Sequence, residues 1–166
     1  MNTSYEVTST GFRSLMAGFP TGVAVLTTND LDGTPWGMTC SSVCSVSLEP
    51  PTLLVCVRNG SPTLGAMLRQ GTFAVNLLHD GARPTAELFA SGDPERFDRV
   101  QWAHGPSHGG PHLVDDAHAV ADCRVSRTQT VGDHIVVFGE VFTVTHQSGP
   151  HPLLYGMRQY AAWPAS

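Results

Sequence analysis

Lysine is absent from all 166 residues, and charged residues of every kind make up only 14% of the chain. Without lysine there is no side-chain Schiff base, and the phosphate-binding loop motif loses its essential residue. A phosphate would have to be held by arginine, by hydroxyls or by backbone N–H groups. The arginines are scattered and the net charge is −5, so no basic stripe exists to track nucleic acid. No apolar run approaches the ~20 residues of a membrane span. The opening MNTSYEVTSTGF has neither a basic segment nor a long apolar core, so no signal peptide is expected. HExxH and GxGxxG are missing, which argues against a zinc protease and a dinucleotide-binding parallel sheet. The GPSHG at 105–109 sits in a Gly- and Pro-rich loop rather than at a strand-to-helix nucleophile elbow, which argues against a serine hydrolase. Four cysteines occur, at 40, 44, 56 and 123, none with CxxC spacing. They are expected to be reduced, buried small hydrophobes of a cytoplasmic protein.

What is present suits one folded domain: 41% apolar residues and no internal repeat or linker. Phe12, Leu15, Met16 and Phe19 recur at helical spacing and predict a short amphipathic helix that Pro20 and Gly22 end. Residues 23–28 are β-branched and apolar, and NDLDGTP at 29–35 is turn chemistry, so a hairpin returns as a strand over 36–47. Glu49-Pro50-Pro51 breaks it, and 52–58 is a continuous apolar strand of the kind covered on both faces. Ser61-Pro62 opens a helix, with Ser61 as its cap and Gly71 as its stop. Strands follow at 72–78, 120–125 and 135–145, with a last one at 153–160. Residues 84–89 predict a short helix, and Gly, Pro and His make 91–111 a loop. Many strands with two or three short helices predict a β-barrel with peripheral helices.

Three stretches carry candidate chemistry. In GMTCSSVCSVSLEPP (37–51), the hydroxyls of Thr39, Ser41, Ser42, Ser45 and Ser47 alternate imperfectly with apolar residues. A strand running into a bend can gather hydroxyls and N–H groups around a phosphate or a polar ring edge. On spacing alone, an exposed face dressed with serines explains the stretch better. In RNGSPT (58–63), Arg58 and Ser61 precede a helix N-terminus, which is anion-binding chemistry or an ordinary cap. In GDHIVVFGEV (132–141), a turn sets His134 at the start of a strand, as a ligand contact or a strand-end decoration. His104, His108, His112 and His118 lie among Gly and Pro without helical spacing, so a loop is the better reading than a metal site.

Taken in order, FPTGVAVLTT, GMTCSSVCSVSLEPP, GTFAVNLL, ERFDRVQW, GDHIVVFGEV and PLLYGMRQY resemble the flavin reductase-like family. These are the reductase components of two-component flavin-dependent monooxygenases. The resemblance spans roughly residues 11–163 of a single domain, 1–166. It implies a mainly β fold, an FMN-binding split β-barrel of Greek-key type with short peripheral helices, usually a homodimer. It implies hydride transfer from NADH, with NADPH as the alternative, to FMN or FAD. The reduced flavin then leaves for a separate monooxygenase or halogenase. A flavin carrier or sensor, and an oxidase that keeps its flavin, are the competing functions on the same barrel.

By that resemblance, Met38, Thr39, Cys40, Ser41, Ser42, Ser45, Val46 and Ser47 line the flavin, the backbone at the ring edge and the hydroxyls at the ribityl chain and phosphate. Arg58, Asn59 and Ser61 lie near the phosphate, and Thr21 near the isoalloxazine. His134 contacts the nicotinamide or the stacked rings, Asp133 is a further cofactor-binding residue of the same turn, and Phe97 belongs to a loop over the cofactor. Ser41 stands where many relatives carry Asn. No acid–base pair is expected, because the cofactors carry the reaction and the protein aligns the rings.

Overall fold

A computed structural model describes Ser4 and residues 6–164 of the chain. Its centre is a seven-stranded antiparallel sheet built from β2 (Ala24–Asn29), β3 (Pro35–Cys40), β4 (Val43–Leu48), β5 (Pro51–Arg58), β6 (Thr72–Leu78), β9 (Ala117–Val131) and β10 (His134–His146). The spatial order is β3-β2-β6-β9-β10-β5-β4. β3 and β4 therefore occupy opposite edges, yet only Ser41 and Ser42 join them. Two residues reach both edges only if the sheet curls until its edges nearly meet. The result is a split barrel, and the split is bridged by the serine bend.

The expected strand over 36–47 is thus two strands. β3 pairs with β2, β4 pairs with β5, and the chain breaks where it leaves one edge for the other. The 91–111 stretch is more ordered than its composition suggests. It holds a 3-10 turn (Arg96–Arg99) and β7 (Trp102–His104), which pairs with β8 (Pro111–Leu113). Asn76, fully buried on β6, fixes β8: its amide donates to Pro111 O (3.2 Å) and its Oδ1 accepts from Leu113 N (2.8 Å). The four histidines of this region part company. His112 pairs with buried Asp122 (2.9 Å), His104 packs on Trp102, His108 takes a left-handed turn conformation (φ 58°), and His118 stands on β9. The expected last strand is a hairpin, β11 (Leu153–Gly156) and β12 (Gln159–Ala162). It turns at Met157 and Arg158, whose φ values of 50° and 61° match the twist of paired strands. β1 (Thr21–Gly22) pairs with β11.

Two cores hold the layers together. Leu26, Val55, Val57, Phe73 and Val137 fill the barrel, closed at one end by Leu64 and Met67 of α2 (Pro62–Gln70). Val25, Leu78, Leu113 and Leu153 form the second with Ala86 and Phe89 of α3 (Arg83–Ser91) and Phe97 of the 3-10 turn. Gly71 ends α2 in the left-handed conformation (φ 75°) and donates to Met67 O. Ser61 takes the cap position without a side-chain cap bond, because its hydroxyl points 3.6 Å from the Met38 sulfur. α1 (Ser9–Ala17) forms as its periodicity predicts but buries no residue: Leu15 is 69% and Phe12 54% exposed.

Candidate active site

The serine bend opens onto a cavity of about 510 Å³. Its floor is β5, whose Leu54 and Cys56 face it; its roof is Phe12, Met16 and Phe19 from the α1 region. Side chains alternate along a strand, so Arg58 shares the face of Leu54 and Cys56. His134 lies directly opposite Arg58 in the β5–β10 ladder and stands on the same face. The bend is tied to this floor, since Cys56 N donates to Ser42 O (3.2 Å). Thr21 lines the cavity from β1, and its Oγ1 is buried with no hydrogen-bond partner among the described residues. A buried hydroxyl left unpaired in a cavity wall is chemistry that a polar ligand satisfies.

The GDH turn holds a dyad. His134 Nδ1 lies 2.8 Å from Asp133 Oδ1. That bond, first among the causes, holds the Asp133 carboxyl below its usual range. An ionised carboxylate only accepts, so Nδ1 carries the proton and Nε2 is left free. Asn59 N donates to Asp133 O (2.9 Å), which ties the RNGSPT segment to the same turn.

The sequence-derived residues fall into three places. Thr21, Met38, Ser41, Ser42, Arg58, Asn59, Ser61, Asp133 and His134 gather around the split and the end of β5. Ser45, Val46 and Ser47 do not join them. Ser47 pairs with Thr52, six residues from Arg58 along β5, which is roughly 20 Å at ~3.3 Å per residue. Its hydroxyl closes the β4–β5 turn through the Glu49 N–H and C=O (3.2 and 3.1 Å). Ser45 and Ser47 line a separate apolar groove with Leu48 and Val141, and Val46 is bulged out between them. Phe97 lies in the second core rather than over a ligand, wedged edge-on between Phe89 (5.1 Å) and Trp102 (5.7 Å).

Two further residues of the bend have inward duties. Thr39 Oγ1 donates to Ala86 O (2.6 Å), so its hydroxyl proton is committed to α3. Cys40 is buried, and desolvation pushes its thiol up to about 11, so it fills space and stays protonated. Cys44, expected to be buried, is instead exposed on the cavity rim.

A profile of the "Flavin reductase like domain" family matches residues 16–164. The chain belongs to the flavin reductase family. It is 52% identical over 158 residues to "Flavin reductase (NADPH)" of Lentzea aerocolonigenes, covering 95% of this chain and 92% of that one. It is 45% identical over 154 residues to "Flavin reductase (NADH)" of Kitasatospora aureofaciens, covering 92% and 81%. The NADH:FAD oxidoreductase SgcE6 of Streptomyces globisporus, solved with NAD and FAD fragments, superposes with a TM-score of 0.87 at 33% identity over 93% and 92% of the chains. BorF, the flavin reductase component of a bacterial two-component tryptophan halogenase, superposes at 0.86 with 32% identity over 96% and 100%.

This flavin reductase also uses residues that the sequence alone did not single out. Arg96, 8% exposed within the ERF motif, donates Nε to Gly37 O (2.9 Å) and Nη1 to Asp93 O (2.7 Å). It holds the carbonyl edge of β3, just before Met38 and Thr39. Gly37 is glycine because Phe89 covers it: a Cβ there would stand 2.9 Å from the Phe89 ring. Arginine beside phenylalanine in ERF was the available signal, but the buried partner lies 59 residues away. The cavity roof was visible only as a generic amphipathic helix.

Proposed function

We propose that this chain is an NAD(P)H:flavin oxidoreductase whose site is the cavity at the barrel split. One observation carries the reading: Arg58, His134 and the cavity floor share one face of β5 and β10, beside the unpaired Thr21 hydroxyl. Bound there, a flavin supplies the hydride acceptor and a reduced nicotinamide the donor.

Arg58 and the Asn59–Ser61 turn meet the flavin phosphate with charge and hydrogen bonds, the part lysine would otherwise play. Ser41 and Ser42 would offer hydroxyls and backbone groups to the ribityl chain and ring edge, and Thr21 Oγ1 would bond the ring. Asp133 holds the His134 ring so that free Nε2 accepts from a nicotinamide amide, which aligns the donor. The apolar α1 roof would keep water from a flavin held there. No side chain forms a covalent bond or carries a proton that the transfer requires.

We further propose a single catalytic domain that pairs as a homodimer. Phe12, Leu15, Phe19, Val144 and Leu48 leave more apolar side chain exposed than an isolated domain favours. Unpaired thiols at all four cysteines suit the cytoplasm. Relatives named as reductase components of two-component enzymes support a separate oxygenase or halogenase as the receiver of reduced flavin.

The test is turnover: protein, NADH or NADPH, and added FMN or FAD, followed at the reduced-nicotinamide absorbance band. Consumption that rises with flavin concentration is expected. Tight flavin binding without consumption would make the protein a carrier instead.

A further inference from the structure

Most cations of the chain are already engaged. Arg69 is bidentate to Asp30 (2.9 and 2.6 Å), Arg99 pairs with Asp93, and Arg96 is buried on carbonyls. Arg124 and Arg127 lie over the rings of Phe142 and Phe138, and Arg58 stands at the proposed flavin site. Arg83 and Arg158 converge elsewhere. They line a cavity of about 340 Å³ between the first turn of α3 and the β11–β12 hairpin, with Glu87, Gln159, Tyr155 and Tyr160.

The cleft is polar and carries a net positive charge, two guanidinium groups against one carboxylate. Glu87 takes only Nε of Arg83 (2.8 Å), and the guanidinium rests 5.6 Å from the Tyr160 ring centroid. This holds the planar fork in place, with no partner for its terminal N–H groups among the described residues. Arg158 makes no salt bridge among the described residues and rises from the hairpin tip, where its φ is 61°. Tyr155 and Tyr160 pack at 5.0 Å to form an aromatic wall. Tyr155 also lines the proposed flavin cavity, so the two cavities meet at one side chain. A ligand with its reacting ring in the first can place its far end in the second.

The chemistry that fits two arginine forks beside tyrosines is a phosphate monoester. Two such groups exist in the proposed reaction: the phosphate of FMN and the 2′-phosphate that distinguishes NADPH from NADH. Arg58 and the Asn59–Ser61 turn already serve the flavin. We propose that the Arg83–Arg158 cleft binds the adenosine 2′-phosphate of NADPH and makes this enzyme prefer NADPH. The proposal rests on the flavin reductase reading.

The test needs no turnover. ADP-ribose, its 2′-phosphorylated form and FMN are titrated calorimetrically into the intact protein and into Arg158→Asn, since asparagine tolerates the left-handed turn position. The wild type should bind the 2′-phosphorylated ligand about tenfold more tightly than ADP-ribose, the scale of one charge-assisted contact. Arg158→Asn should abolish that difference and leave FMN affinity unchanged; Arg83→Gln should reduce it. Equal binding of the two nucleotides by wild type would overturn the proposal. So would an Arg158→Asn variant that keeps the difference, or one that loses FMN instead. In kinetics, Arg158→Asn should lower kcat/KM for NADPH about tenfold and spare NADH. A protein that oxidises neither nucleotide fails the flavin reductase reading, while the titration still judges the cleft.

Discussion

Replacing Gly37 by alanine tests whether α3 and the ERF turn set the position of β3. A Cβ at 37 would lie 2.9 Å from Phe89 Cε1 and 3.1 Å from Leu26 O. The backbone oxygen is fixed by the β2–β3 ladder. Phe89 is 2% exposed and held edge-on against Phe97, so its ring has no room to swing. The strain must then spread to the gap between β3 and the layer formed by α3 and the ERF turn. Two hydrogen bonds span that gap: Thr39 Oγ1 to Ala86 O at 2.6 Å, and Arg96 Nε to Gly37 O at 2.9 Å. Overpacking of this kind costs about 1–3 kcal/mol, and weakening the two bonds adds about 1 kcal/mol each. The expected loss is therefore about 3–5 kcal/mol. It should appear in urea unfolding as a lower midpoint at unchanged slope.

A relief variant sharpens the test. Phe89→Leu alone leaves a void and costs about 1–2 kcal/mol. Combined with Gly37→Ala it makes room for the new methyl, so the double variant should be more stable than the sum predicts by about 1–2 kcal/mol. Flavin affinity should follow the same pattern, because Met38 and the bend continue directly from Gly37. Strictly additive losses, or a Gly37→Ala cost below about 0.5 kcal/mol, would refute the idea that α3 presses on β3 here.

Thr21→Val removes the unpaired hydroxyl and should leave stability unchanged or slightly higher, while flavin Kd rises about fivefold or more in a fluorescence titration; unchanged affinity would remove Thr21 from the site. His134→Ala should raise KM for the reduced nicotinamide and lower turnover about tenfold, with flavin affinity intact, and an unchanged rate and KM would end that role. Asp30 is held down to about 2 by its hydrogen bond from Arg69. A carboxyl whose folded pKa lies below its unfolded value stabilises above the unfolded pKa, and that contribution fades as pH falls through the folded one. The Tm gap between wild type and Asp30→Asn should thus be constant above about pH 5 and close toward pH 2; a gap that persists in acid would contradict the pairing.

How much of this was legible depended on the range of the forces involved. Local signals located all three helices and most of the barrel strands: spacing marked α1, Ser61-Pro62 with Gly71 marked α2, and apolar runs marked the strands, although β9 extends well beyond the expected 120–125. The 36–47 stretch misled because nothing within it records that β3 and β4 join opposite edges. That break follows from pairing with β2 and β5, decided elsewhere in the chain. The loop over 91–111 failed for the same reason: Gly110 and Pro111 look irregular until Asn76 and Thr27 hold them. Motif order supplied the family and most of the residues at the split. It could not divide the serines, since Ser41 and Ser47 share a composition and differ only in which end of β5 they reach. Phe97 shows the converse. Its motif neighbour Arg96 makes the contact with β3, while the phenylalanine completes the core that keeps that arginine buried. The cavity is thus a product of long-range closure: β5 lays the floor, α1 roofs it, and Arg96 and Phe89 fix the edge strand that ends in its serine wall.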